Sequence, residues 1–222
     1  MQDQAISFDS LKTKHRHLRD DFPQSVSLRV HRALSWLQRA EQEVDDFDAA
    51  FIFLWIAFNA AYAEDILSDS SVSERTSFEG FFAKVIAVDR DSAVYNAIWE
   101  RFSESTRIFL DNRFVFQPFW SHYNGLPGYA DWQERFDRSK RRISRALAEK
   151  DTKVILTSLF DRLYVLRNQL VHGGATWNSS VNRAQVQDGS KILKYLVPVF
   201  INLMMMNPQE PWGPPYYPVV TT

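Results

Sequence analysis

The chain has no cysteine among its 222 residues. That excludes disulfides, thiolate catalysis and Cys-ligated zinc, and it leaves no argument for an oxidising compartment. Charge of one sign is lacking too. The formal net charge is −1, so no global field draws the chain to nucleic acid or membrane, and any such attraction must be local. Residues 1–10 have no positive segment followed by an apolar run, so cytoplasm is the expected location. The longest apolar run, 49–63, is 15 residues long and is broken by Asn59. A membrane-spanning helix needs about 20 residues, so this stretch reads as a buried core helix, with no membrane as partner. No HExxH spacing occurs and the five histidines are dispersed, so no metal site and no cofactor are expected. Gly173-Gly174 ends a helix, whereas a phosphate-cradling loop precedes one. Alternating strand patterns, internal repeats and low-complexity segments are absent.

What is present is apolar and aromatic. The composition is 45% hydrophobic and 24% charged, with 17 Phe and 7 Trp. This length suits one domain with a single core, and the aromatics predict a thick helical core. The expected class is all-α: an up-and-down helical bundle with an irregular, aromatic-rich insertion.

Residues 1–22 are polar and mixed. Lys12, Lys14, His15, Arg16, His17 and Arg19 form a basic cluster with no acid between 12 and 19, the pattern of a solvated helix face or of a phosphate-contacting arm. From Ser25 to about Asp45, Val26, Val30, Ala33, Leu34, Leu37 and Ala40 recur at spacings of three and four, an amphipathic helix. Asp45-Asp46 cap the next helix, roughly 47–67. It is apolar nearly all round and belongs in the middle of a bundle. Asn59 is its one clearly polar interior position, either a satisfied interhelical contact or an amide turned toward a site.

A Ser- and Asp-rich loop is expected at 68–75, then short helical patterns at 77–88 and 91–102, with 103–113 as a candidate extension. Pro118, Gly125, Pro127 and Gly128 make 114–130 a turn-rich insertion, held by Phe116, Phe119, Trp120 and Tyr123. His122 within it reads as packing rather than chemistry. Trp132 to Ala148 carries Arg135, Arg138, Lys140, Arg141, Arg142 and Arg145 against Glu134 and Asp137. Such a face is either solubilising or a contact for RNA, with Arg138, Arg141, Arg142 and Arg145 as the candidate RNA-binding side chains.

Asp151 or Thr152 caps a helix with the leucine stripe Leu156, Leu159, Leu163, Leu166 and Leu170, and Gly173 supplies its stop. The last helix, about 182–206, contains Pro198 and should kink there. The tail from Asn207 is proline-rich and is expected to run extended over the surface, held by Trp212, Tyr216 and Tyr217.

The end of the leucine-striped helix carries Arg167, Asn168 and His172. Arginine presents a fork of donors that fits a phosphate; histidine can give or take a proton near neutral pH. Asn168, four residues before His172, shares its face and could orient the ring or bind a base or phosphate. Arg167 is five residues before His172, about 140° away around a regular helix. A two-fold pairing of two such helix ends would place two Arg and two His around one crevice. These groups suit cleavage of an RNA phosphodiester, with His172 moving the proton and Arg167 stabilising charge on phosphorus.

The segment Arg167-Asn168-Gln169-Leu170-Val171-His172 resembles the Arg-x4-6-His signature of the HEPN superfamily. The apolar helix around Leu54 to Tyr62 is similar to the early core helix of stand-alone bacterial HEPN proteins, including the Apea-like set. The resemblance implies an all-α bundle, often dimeric, with the Arg and His at the end of a late core helix and a polar residue after the Arg. It implies a ribonuclease of toxin–antitoxin, abortive-infection or CRISPR systems: catalytic Arg167, His172 and Asn168, RNA and a second copy of the chain as partners, and an antitoxin protein as a further one. It covers roughly 24–67 and 151–206 of a single domain; the insertion at about 103–130 and the tail at 207–222 lie outside it. Some HEPN domains bind nucleotides or partner proteins without cutting, so a noncatalytic RNA-binding or protein-interaction module stays open. So does a scaffold whose surface is the leucine stripe and Met204-Met205-Met206. A purely structural role would pair Arg167 with an acid such as Asp161 or Glu64 and leave His172 as a helix cap.

Overall fold

The computed structural model describes residues 6–63, 74–215 and 217–219. Among them the elements are helical: α1 Phe8–Leu18, α2 Gln24–Glu41, α3 Phe47–Tyr62, α4 Glu74–Val88, α5 Ala93–Asn96, α6 Ser103–Leu110, α7 Gln117–Tyr123, α8 Trp132–Glu149, α9 Thr152–Val171 and α10 Arg183–Met206. A π-turn, Ala97–Arg101, joins α5 to α6. The fold is an all-α bundle.

Helix α3 sits in the middle because almost every face of it is apolar. It packs on α2, α10 and α9, while α4 and α8 cover α9 from other sides. Phe58 is the hub of its aromatic core, with ring centres of Tyr62 at 4.4 Å, Phe160 at 4.5 Å, and Phe82 and Phe200 at 6.1 Å. The short connection from α2 to α3 is set by Asp46, whose Oδ1 accepts the Ala49 N–H at 3.0 Å. Asp151 does the same for α9, accepting from Val154 at 3.0 Å. Both caps satisfy an amide that the first helical turn leaves without a carbonyl.

Leu156, Leu159, Leu163 and Leu166 are buried and Leu170 packs against the core. Met204 and Met205 are buried too, and Met206 is exposed. The stripe is thus consumed within one chain, and the scaffold reading loses its surface. Helix α10 approaches α3 and α9 closely at Gly189, where a β-carbon would stand 2.9 Å from Phe51 Cε2 and 3.1 Å from Leu163 Cδ2. By length and composition α10 could cross a membrane, but 72% of its apolar window is buried in the bundle. Pro198 lies within it without ending it. The carbonyl its missing N–H would have served belongs to Lys194, which is exposed to water.

The basic cluster from Lys12 lies on a helix, α1, opened by a capping box between Ser7 and Ser10. Two expectations are corrected. The turn-rich segment 114–130 contains α7, because Pro118 sits in the first turn of a helix rather than breaking one. Of its anchors, Phe116 and Phe119 pack on Phe136 and Trp132, at 5.2 and 5.0 Å, whereas Tyr123 is exposed.

The tail is not a surface strap throughout. Trp212 is 1% exposed, packs against Phe81 at 6.0 Å and donates through Nε1 to the Asn207 carbonyl at 2.8 Å. Arg29 of α2, also buried, donates to the carbonyls of Ala61 (2.6 Å), Ala63 (2.8 Å) and Pro214 (2.7 Å). One guanidinium therefore caps the end of α3 and ties the tail to it. Tyr216, Glu64 and the expected loop at 68–75 up to residue 73 lie outside the described residues, as does the stretch 64–67 proposed for the end of α3.

Candidate functional site at the end of helix α9

Helix α9 closes in a Schellman motif. The Gly174 N–H reaches back to the Gln169 carbonyl at 2.7 Å and the Gly173 N–H to that of Leu170 at 3.3 Å. Gly173 has φ +70°, a left-handed conformation that glycine adopts without steric cost. This arrangement makes His172 the C-cap, exposed to solvent at the negative end of the helix dipole. The following loop is tethered to the start of α3 and α10. Trp177 Nε1 donates to Asp46 Oδ2 at 2.9 Å, and Arg183 pairs with Asp48 at 2.7 Å and donates to Asn178 at 2.8 Å. The Ala49 N–H, then Trp177, then Arg183, hold the Asp46 carboxyl below its ordinary pKa.

Arg167 is half-buried and donates through Nη1 to Asn168 Oδ1 at 2.9 Å. Among the described residues it forms no ion pair, with Asp161 or any other acid. Asn168 thus orients the guanidinium. It meets His172 through its backbone, accepting the His172 N–H at 3.0 Å, while its amide is turned to Arg167.

Arg167 opens into a cleft of about 530 Å³ whose walls come from four parts of the chain. α2 supplies Arg32 and Trp36, α3 supplies Asn59, α9 supplies Tyr164 and Arg167, and the tail supplies Tyr217. Asn59 is half-buried and its amide makes no hydrogen bond among the described residues, so it is not the satisfied interhelical contact. Trp36 stacks on Phe53 (5.8 Å, 28°) and remains 38% exposed. Arg32 Nη1 donates to the Tyr217 carbonyl at 2.6 Å, fixing the tail wall. His172 does not line this cleft. One chain brings together Arg167, Asn168 and Asn59, and leaves His172 around the helix end, as the 140° separation requires.

A second cleft, also about 530 Å³, lies between α7, α8 and α9. Arg135, Arg138, Arg142 and Arg162 line it, with Asp161 as the acid and Tyr164 as a wall shared with the first cleft. Arg162 is 5% exposed and sits over the Phe116 ring at 4.4 Å and the Phe136 ring at 5.6 Å. Its Nη2 donates to Ser139 Oγ at 3.3 Å.

Of the four candidate RNA-binding arginines, Arg138 and Arg142 open into this cleft and Arg141 and Arg145 do not. Arg138 lies 3.6 Å from Asp131 and 3.7 Å from Glu134; Arg145 pairs with Glu149 at 2.9 Å. Arg135 hydrogen-bonds Asp131 at 2.8 Å and holds that carboxyl below its ordinary pKa. Arg141 and Arg142 are exposed and unpaired among the described residues. The basic face is therefore partly neutralised by its own helix, and Arg142 is the cation most free to meet an anion there.

His122 is exposed at the rim of the insertion, 6.3 Å from the Trp132 ring, so it serves neither core packing nor this site. His15 is buried, against the reading of the N-terminal cluster as wholly solvated. Sequence reasoning missed Trp36, Arg32, Tyr164 and Arg162. Trp36 alone left a sign, a large aromatic on the polar side of an amphipathic helix. Among the described residues no three His, Asp or Glu side chains come together to hold a metal ion. Comparison with family models, with curated proteins and with solved structures finds no match for the chain.

Proposed function

We propose that the chain is an endoribonuclease of HEPN type that cuts RNA with Arg167 and His172 and needs no metal, working as a two-fold pair. The observation that carries this reading is Arg167: unpaired by any acid among the described residues, oriented by Asn168, and open to a cleft at the end of a late core helix. A structural arginine of the bundle would sit as Arg29 does, buried with its two terminal nitrogens bonded to three carbonyls.

The chemistry is an internal transesterification. The ribose 2′-hydroxyl gives its proton to His172 and its oxygen bonds to phosphorus. The bond from phosphorus to the 5′-oxygen breaks, and that oxygen takes a proton from His172 of the second copy. Arg167 neutralises the charge that builds on the equatorial oxygens. Proton transfer of this kind contributes about 10²–10⁴-fold, so the arginine and the alignment supply the rest. Pairing of two copies is needed because one chain holds Arg167 and His172 on different sides of the helix end. A toxin or phage-defence effector in the cytoplasm, restrained by an antitoxin protein, is the setting this chemistry fits.

The second reading is a noncatalytic RNA-binding module, and the arginine-lined cleft favours it. One experiment separates the two. Purified protein is incubated with total RNA in EDTA, beside His172→Ala. Cleavage that survives the chelator and disappears in the variant supports the nuclease. RNA retained equally by both proteins, with no product from either, supports the binding module. Equal cleavage by both removes His172 from the chemistry.

A further inference from the structure

Two clefts of equal size meet at Tyr164, and their linings differ in kind. The first has aromatic walls, Trp36 and Tyr164, and a half-buried amide, Asn59, with no partner among the described residues. Two guanidinium groups, Arg32 and Arg167, border it. Flat aromatic faces stack on any base, and a primary amide can both donate to and accept from a base edge. The second cleft carries four arginines against the single acid Asp161. Arg138 is held only by long contacts to exposed acids, the kind of pair that contributes little and can be exchanged for a phosphate. Each volume falls within the range of about 300–1,000 Å³ that small-ligand sites occupy.

We infer that these clefts are adjoining subsites for a single RNA strand: the first takes one unstacked base against Trp36 with Asn59 at its edge, and the second takes a neighbouring backbone phosphate among Arg138, Arg142 and Arg162. The inference rests on the ribonuclease reading for the identity of the ligand. It adds that the substrate is unpaired, since a base inside a duplex has both faces covered and could not enter the aromatic cleft. It also gives Arg167 its register, because a base seated beside it places the adjoining phosphate within the guanidinium's reach.

The test uses a short single strand with 2′-O-methyl riboses, which cannot be cleaved through the 2′-oxygen, so binding is read whether or not the protein is a nuclease. Affinity is measured by fluorescence anisotropy for the strand, for the same strand annealed to its complement, and by competition for free mononucleotides. The strand should bind more tightly than the duplex and at least about tenfold more tightly than any mononucleotide, because only the strand fills both subsites. Trp36→Ala should weaken strand and mononucleotide alike, by about fivefold or more, as loss of one stacked base does. Asn59→Ala should change the preference among the four bases. Arg142→Gln should weaken the strand alone and lower the salt dependence of its binding by about one charge. All three side chains are partly or wholly exposed, and thermal melts confirm that the variants fold. Duplex bound as tightly as single strand, a mononucleotide bound as tightly as the strand, or Trp36→Ala and Arg142→Gln both binding as wild type would each overturn the inference. Cleavage dependent on His172 but indifferent to Trp36 and Arg142 would overturn it while leaving the nuclease standing.

Discussion

The guanidinium of Arg167 is held by the side-chain carbonyl of Asn168 at 2.9 Å and by no acid among the described residues. Neighbours in sequence seldom share a helix face, so the contact depends on the long arginine side chain reaching round to the amide. It leaves the charge of Arg167 uncompensated, which is what a phosphate would require of it.

If the chain cuts RNA as proposed, Asn168→Ala should therefore slow cleavage without unfolding the protein. A hydrogen bond to a charged group contributes about 1.5–3 kcal/mol when buried and less when half-exposed, so the expected loss in kcat is about tenfold. KM for RNA should change little, since the charge remains, and Asn168→Gln should restore part of the rate. A wild-type kcat in Asn168→Ala would show that Arg167 needs no tether.

Gly189→Ala should destabilise the fold although alanine is the better helix former. The added carbon would stand 2.9 Å from a fully buried phenylalanine ring and 3.1 Å from Leu163. Overpacking costs about 1–3 kcal/mol, against about 1 kcal/mol gained in helix propensity. With the cost near the middle of that range the net loss is about 1 kcal/mol, which should lower the melting temperature by about 2–4 °C for a chain of this size. An unchanged or raised melting temperature would mean that α3 and α10 can separate at no cost.

Lys150→Gly should do the opposite. Lys150 ends α8 with φ 54° and ψ 39°, a conformation that costs a β-bearing residue about 1 kcal/mol. Its ammonium, 5.8 Å from the Tyr95 ring, returns about half of that at an exposed position. A gain of about 0.5 kcal/mol in denaturant melts is expected; a loss would assign Lys150 a stronger tie to Tyr95 than the distance implies.

The protein should lose stability in mild acid through His15. Its ring is buried 6.1 Å from Phe22, and neither nitrogen has a hydrogen-bond partner. Desolvation first, then Lys12, His31 and Arg19, lower its pKa below the ordinary 6.5. The folded state thus prefers the neutral ring. The stability this contributes is complete above about pH 6.5, where the unfolded histidine is also neutral, and is lost as pH falls from there through the folded pKa. Urea melts at about pH 7.5 and about pH 5.5 should differ more for wild type than for His15→Leu; equal slopes in the two proteins would exonerate His15.

Where a feature depends on neighbours in sequence, the residues alone were enough to read it. Asp151 opening α9, Gly173 closing it, and the central place of α3 follow from capping chemistry, left-handed geometry and an apolar surface on all sides. Proline misled at 118 because the same ring that breaks a helix interior is welcome in its first turn. The clefts were not legible. Trp36, Asn59, Tyr164 and Tyr217 belong to α2, α3, α9 and the tail, and nothing in their spacing says that they share a wall. Arg162 reads as one more cation on an amphipathic helix until it is seen to lie over the adjoining rings of Phe116 and Phe136.

Arg29 and Arg32, one turn apart on α2, hold the chain near Pro214 and Tyr217 by its carbonyls. The rim of the aromatic cleft is thus seated on α2 and on the end of α3, so the cleft has its tail wall only where those helices are in place. A chain nicked ahead of Pro214 would carry every residue of the Arg-x4-His segment and still lack one wall of the cleft beside Arg167. Completeness of folding, rather than possession of the motif, then decides whether the aromatic cleft exists at all.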